Sequence, residues 1–262
     1  MKYLFIFLVL FIGPVANTRA QTDSSELLLK KLGSQTITQP ERKQLRAIAF
    51  DIQNRGQLLD EHDHDYAGSL ALIDRAITIF RSLADTLNEA NNRKFKGYLL
   101  GRFHKFAEGK AEIKQAIDLF QSKNAGWGVA VSQFDLSRLL EFEHQLDSAL
   151  FHCNTAISYW KSTGNIDRIF LTQNMLINLL TKTNKFSEAK LLQAESSKIA
   201  EDPKQHWQGL LDFYVVSENL YVAAKALGSA RQYKELYARK IAELKAEGTT
   251  ASSYFEEAGQ HR

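Results

Sequence analysis

The densest cluster of potential ligands in the chain is Asp60-Glu61-His62-Asp63-His64-Asp65, in which every side chain is a carboxylate or an imidazole. Both residue types hold zinc and other divalent ions, so a metal-dependent enzyme using residues 60–65 is one reading. A thiol nucleophile is another, from Cys153 beside His152. Both weaken once the same positions are followed along the chain. His64 has counterparts forty residues on at His104, again at His144, and then at Asn184. All four fall between two apolar-periodic segments, where a helix commonly ends on one left-handed residue that Asn and His tolerate better than most. Cys153 takes the position that Ile73 and Ile113 occupy earlier, so it is expected in a core, with His152 solvated beside it. No glycine-rich phosphate loop, Ser-nucleophile elbow or zinc-protease helix motif is present, and Gly126-Trp127-Gly128 lies at a junction between units. The chemistry expected is not catalysis, and neither a metal nor a cofactor is implied.

The elements that position these residues recur. Ala76-Ile77-Thr78-Ile79-Phe80, Ala116-Ile117-Asp118-Leu119-Phe120 and Ala156-Ile157-Ser158-Tyr159-Trp160 stand forty residues apart. Ten positions before each Ala comes Tyr66, Phe106 or Leu146, and seven before it Ser69, Gly109 or Ala149; Phe186, Ala189 and Ser196 give a fourth copy. Self-similarity at this period marks stacked supersecondary units, none of which can bury its apolar face alone. Apolar residues recur at three and four, as in Leu136, Leu139 and Leu140, and no stretch alternates with period two. The chain is therefore expected to be all-α, with helix pairs over 41–60 and 66–83, 88–103 and 106–121, 127–142 and 146–162, 167–182 and 186–200, and 204–229 and 232–247. The last pair is expected to be irregular, with a first helix about two turns longer, because Tyr233 follows Phe186 by forty-seven. Thr38-x-x-Glu41 with Pro40 has the spacing of a capping box at the first helix, and Ser25–Leu32 could form a short leading helix. Gly97 and Ser137 on first helices, facing Ala149 and Ala189 on second helices, are expected to admit close helix contact.

These residues resemble the tetratricopeptide repeat family, whose motif places a small residue and a Leu or Tyr on the first helix, then an aromatic and two alanines on the second. The third unit matches through Leu136, Ser137, Leu140, Leu146, Ala149 and Ala156, and the second through Gly97, Leu100, Phe106, Gly109 and Ala116; the other units match in part. Over residues 41–247 the resemblance implies a right-handed superhelix of about five stacked antiparallel pairs, with first helices lining a concave face across which ligand peptides lie. In that register the candidate binding residues are Arg55, Lys94, Tyr98, Arg102, Phe134, Arg138, Asn174, Asn178, Tyr221 and Lys225, beside Asp51, Asn54 and Lys182. The Lys, Asn, Asn, Lys, Arg clamp of the heat-shock co-chaperone members does not carry over. Lys94 could begin it, but Tyr98, Asp135, Leu171 and Met175 stand at the other places.

Flanking the repeats, residues 1–20 read as a signal peptide. Lys2 precedes the apolar run from Tyr3 to Ile12, Gly13-Pro14 breaks it, and Thr18-Arg19-Ala20 ends in a small residue. Residues 21–40 form an N-terminal segment, and 248–262 are expected to be a flexible tail. With Lys2 and Arg19 removed, 31 basic residues remain against 30 acidic, which gives no general attraction to nucleic acid or to an anionic membrane. Cys153 is the only cysteine, so the exported chain has no internal disulfide. The expectation is an exported, periplasmic or secreted, non-enzymatic scaffold that binds a protein or peptide on its concave face. An extracytoplasmic sensor for a peptide or small molecule is the alternative, and an enzyme at residues 60–65 stands behind both.

Overall fold

A computed structural model describes residues 28, 30–33, 37–61, 65–202 and 205–247. Among these, ten α-helices follow a 3-10 turn at Lys31–Gly33: α1 Gln39–Glu61, α2 Tyr66–Ser82, α3 Thr86–Arg102, α4 Phe106–Ser122, α5 Gly126–Phe142, α6 Leu146–Thr163, α7 Ile166–Lys182, α8 Phe186–Ala200, α9 Trp207–Ala223 and α10 Leu227–Ala246. No strand occurs among the described residues. The expected signal peptide, half of the expected leading helix Ser25–Leu32, the C-terminal tail and residues 62–64 lie outside them.

Among the described residues, seven of the ten helices, α2 to α7 and α9, end in the same way. Ala84, His104, Asn124, His144, Gly164, Asn184 and Lys225 have φ between 51° and 67°, and the first six are spaced by twenty residues. At His144, the residue's own N–H donates to Glu141 O at 2.9 Å, and the next N–H, of Gln145, donates to Leu140 O at 2.9 Å. This pair of bonds satisfies carbonyls that the helix end would otherwise leave bare, and it turns the chain back on itself. His104, His144 and Asn184 are thus turn residues, as their spacing suggested; His64 lies outside the described residues. The same geometry at Ala84, Asn124 and Gly164 separates one pair from the next, so the backbone period is half the sequence period.

At the start, Thr38 and Glu41 close the capping box, with Thr38 N donating to a Glu41 carboxylate oxygen at 2.9 Å and the hydroxyl to the same oxygen at 2.8 Å. The Lys31 ammonium, 2.9 Å from the other oxygen, is the largest cause that holds the Glu41 carboxyl down at about 2. Leu28, Leu32 and Ile37 pack on the core of the first pair, around Leu45, Ala76, Ile79 and Phe80, and so cover the end of the stack.

The fifth pair corrects the sequence reading. Its first helix is not two turns longer: α9 has 17 residues, like α3, α5 and α7. The counterpart of Phe186 is Leu227, forty-one on, and Ala230 and Tyr237 take the buried places of Ala189 and Ser196. Lys225 is the left-handed turn residue and has left the first helix altogether. Its lysine side chain carries no turn signal, which is why the register was misread.

Close approach of the two helices within a pair depends on missing bulk. A Cβ on Gly97 would stand 2.7 Å from Gly109 O and 2.6 Å from the Ile113 side chain, and a Cβ on Gly109 would stand 2.7 Å from Gly97 O. One unit later, Ser137 and Ala149 hold these places, and the Ser137 hydroxyl donates to Ala149 O at 2.9 Å. Cys153, fully buried beside this crossing, has its thiol pushed up to about 12 by burial, so it is inert core. His152 is half-buried, not solvated, with Nδ1 2.5 Å from the Gln133 side-chain oxygen.

Two outcomes test this packing. Ala149→Arg forces bulk and charge into a site with no exposed surface, and should lower stability by several kcal/mol, read as a large drop in melting temperature. His144→Gly should leave stability unchanged or raise it by up to about 1 kcal/mol, because glycine takes φ near 60° without strain, whereas His144→Val should lower it. Equal melting temperatures for the Gly and Val variants would show that the turn does not depend on that conformation.

Candidate binding groove on the inner face

Two pairs of first helices pack on one another, α3 against α5 and α7 against α9, whereas no two second helices do so among the described residues. The first helices therefore form the inner, concave wall. Residues spaced by three or four on each of them, and by about forty between them, share this wall.

Most of its charges are already paired. Lys94 Nζ on α3 lies 3.5 Å from the Asp135 carboxylate on α5. Lys182 and Asn178 on α7 both donate to one oxygen of Glu141, at 2.7 and 2.5 Å. Arg102 Nη1 donates to the buried Asp60 at 3.0 Å, its other nitrogen donates to the Tyr66 hydroxyl, and its guanidinium lies 4.4 Å from the Tyr66 ring centre. Arg102 is thus a half-buried strut between α1, α2 and α3, and Asp60, which the sequence offered as a metal ligand, is its counter-ion. Arg55 remains exposed on α1, 4.0 Å from Asp51.

Two other candidates are structural as well. Asn174 is buried, and its Nδ2 donates to Gly209 O on α9 at 3.0 Å. Tyr221 stacks on Tyr233 with ring centres 5.7 Å apart and planes at 6°. The Tyr221 hydroxyl donates to Gln193 Oε1 at 3.2 Å, while Gln193 Nε2 donates to Tyr233 at 2.6 Å. Gln193 stands where earlier units have Ile73, Ile113 and Cys153, and the two tyrosines satisfy its amide in that core position. Lys225 lies exposed in the left-handed turn after α9 and not on a first helix.

What the structure brings together in mid-groove is Tyr98, Phe134 and Arg138, all partly exposed. The Arg138 guanidinium lies 5.0 Å from the Tyr98 ring centre, within cation–π range. Asp212, on α9, was not foreseen. Desolvation pushes its pKa up to about 6, with Arg138 pulling it the other way. Asp212 occupies the place of Asp51, Asn91, Val131 and Leu171 in the earlier units, and the misaligned fifth pair hid it from sequence reasoning.

No family model and no curated protein matches this chain. Solved structures do. BtubC (BKLC) from P. vanneervenii superposes with TM-score 0.67 at 14% identity, covering 87% of this chain and 92% of its own. A putative kinesin light chain from Podosopora anserina, with nearly identical TPR-like repeats, gives 0.54 at 14% identity over 79% and 96%. The apo form of RapI gives 0.56 at 11% identity over 87% and 93%. The fold is a TPR-like solenoid. At these identities the likeness concerns the fold alone.

Asp212 supplies the test of this wall. A carboxyl raised above its unfolded value holds its proton more tightly when folded, so its stabilising contribution is complete below about pH 4 and is lost as pH rises through about 6. Asp212→Asn should therefore flatten the loss of stability between pH 4 and 6, and should raise stability at pH 7 by about 1–2 kcal/mol. A lower melting temperature at pH 7 would show that the carboxylate is compensated. Arg102→Glu, which sets a second acid beside Asp60, should cost about 3 kcal/mol or more in the same assay.

Proposed function

We propose that this protein is an exported, non-enzymatic scaffold that holds a protein or peptide partner on the inner wall of the solenoid. The observation that carries the reading is the mid-groove group Tyr98, Phe134 and Arg138. Arg and Tyr side chains of this kind dominate interface energies, and here they are held on rigid helices with part of their surface open to solvent. The solenoid fold supports it, since stacked repeats create extended inner surfaces suited to long, shallow ligands. Export rests on the pattern of residues 1–20. Against catalysis, Cys153 is an inert core thiol and Asp60 is bound to Arg102. A sensor for a peptide or small molecule would use the same wall.

The purified full chain should retain a stoichiometric polypeptide partner when recovered from its native cells, as read by mass spectrometry of the intact complex. Tyr98→Ala with Arg138→Ala should lose that partner, at a cost of about 2 kcal/mol or more, and change melting temperature little. Phe151→Ser, at an exposed position on the second helix α6, should retain it. Loss of the partner from Phe151→Ser alone would move the interface to the outer face. A bound small molecule in place of a polypeptide would favour the sensor.

A further inference from the structure

The edge of the solenoid where each helix pair hands over to the next carries a patch that the groove does not use. Second helices end and first helices begin there, so the negative pole of one helix lies beside the positive pole of another, and the side chains set the field. At two neighbouring junctions, 121–128 and 159–168, large apolar groups face solvent: Trp127 is 44% exposed, Ile166 is 50% exposed, and Tyr159 is partly exposed. Packing joins the two junctions into one surface. A Cβ on Gly126 would stand 2.6 Å from the Tyr159 ring, Tyr159 meets Trp160 with ring centres 5.0 Å apart, and the Arg168 guanidinium lies 5.9 Å from the Trp160 ring centre. Trp127, next to Gly126, rests on the buried Phe120 with ring centres 5.3 Å apart, so the indole is held in place while nearly half of it faces solvent. Lys123, Lys161 and Arg168 are exposed here and make no ion pair among the described residues, against one acid, Asp167, in the same two stretches. Elsewhere the charges cancel. At the preceding junction Asp85 and Glu89 are paired with Arg46 and Arg81, and beside the exposed Phe142 on the opposite edge Glu141 and Glu143 are paired with Lys182 and Lys110.

We propose that this edge docks on an anionic phospholipid surface, with Trp127 and Ile166 entering the boundary between headgroups and acyl chains and Lys123, Lys161 and Arg168 lying over the phosphates. Charge complementarity decides for an anionic partner, and the mixture of side chains decides for a bilayer. Indole and phenol rings favour a membrane interface because one end is apolar and the other hydrogen-bonds at headgroup level, while Lys and Arg stems extend the apolar surface and keep their charge in water. No helix among the described residues is long and apolar enough to cross a membrane, so the contact is with the surface. Near-zero net charge is an average over the whole chain; a lipid surface responds to the local excess of cations within about a Debye length of it. Each such cation is worth about five-fold in partitioning, so three give an attachment that is reversible and sensitive to salt. Phe134 and Arg138 stand about two and three turns further along α5 than Trp127, which leaves the inner wall open when the edge is docked.

The test is sedimentation with vesicles of phosphatidylglycerol and phosphatidylcholine in equal parts, at neutral pH and low salt. The exported form, from Gln21 onward, is the species to use, because the apolar run of residues 3–12 would bind lipid by itself. It should bind these vesicles at least ten-fold better than vesicles of phosphatidylcholine alone, and raised salt should release it. Trp127→Ser with Ile166→Ser should weaken binding about ten-fold or more, and Lys123→Glu with Lys161→Glu at least twenty-fold, both with melting temperatures close to wild type. Phe142→Ser, on the opposite edge, should bind as wild type does. Vesicles with brominated acyl chains should quench the tryptophan fluorescence of the bound protein, and that quenching should disappear in Trp127→Phe, which still sediments. Equal binding to phosphatidylcholine overturns the proposal, as does quenching that persists in Trp127→Phe or loss of binding in Phe142→Ser. Binding that survives Trp127→Ser with Ile166→Ser would be adsorption by charge alone and overturns it too. Failure to bind the anionic vesicles overturns it outright and leaves the patch to an acidic protein surface.

Discussion

The turn that ends seven of the ten helices is the constraint on which the rest of the molecule depends. One residue at φ near 60° and two reversed hydrogen bonds occupy three positions, and 17-residue helices fill the interval between successive turns over most of the chain. A helix of that length spans about 25 Å. Because the interval is constant, the helices stack flush, and residues forty apart in sequence lie side by side on one wall. Any element inserted within a helix would displace every side chain beyond it by about 100° and empty the core of the next unit. Insertion is tolerated only at a junction, and it is found there: the extra residue of the fifth pair lies around 201–206, between α8 and α9.

Helix stacking also decides which side chains remain for binding. Along the Gly97–Gly109 and Ser137–Ala149 crossings the two helices of a pair are drawn together, which leaves the outward faces of the first helices to meet at the inner wall. There the cations and anions of adjacent units come within reach and neutralise one another, so a wall that is rich in charge by composition is poor in free charge. Arg102 shows the consequence. In the sequence it resembles Arg138, but Asp60 and Tyr66 from the first pair reach it, whereas Arg138 lies over the Tyr98 ring. Identical residues at neighbouring places on the wall therefore do different work.

Much of this was legible in the residues. Fourfold recurrence of Ala, aromatic and small positions is enough to place the first four pairs and to assign His104, His144 and Asn184 to turns, because each reports a local steric requirement. Tertiary partners are a different matter. Asn174 reads as a polar wall residue until Gly209 O is seen to need it, and Tyr221 reads as a ligand-facing aromatic until Gln193 appears in a core position that requires two hydroxyls. The turn residues Ala84 and Lys225 could not be found from composition, since nothing in either side chain favours a left-handed backbone; the hydrogen bonds of their neighbours impose it. With Lys225 missed, the fifth pair slid out of register, and Asp212 disappeared into a helix with no assigned face.

Asp212 shows that one residue of this wall works against folding at neutral pH. An apolar side chain at its place would bury as readily as Val131 and Leu171 do in the preceding units, and would avoid the cost of a carboxylate drawn partly out of water. Stability alone favours Val or Leu there. The fifth pair can carry that loss because Tyr233 ties it back to Phe213, Tyr214 and Tyr221 through ring contacts of 5.7 to 6.4 Å, and to Gln193 of the fourth pair through its hydroxyl. The aromatic cluster thus holds α9 in place, and with it a carboxylate that the described residues of the groove leave without a close cation.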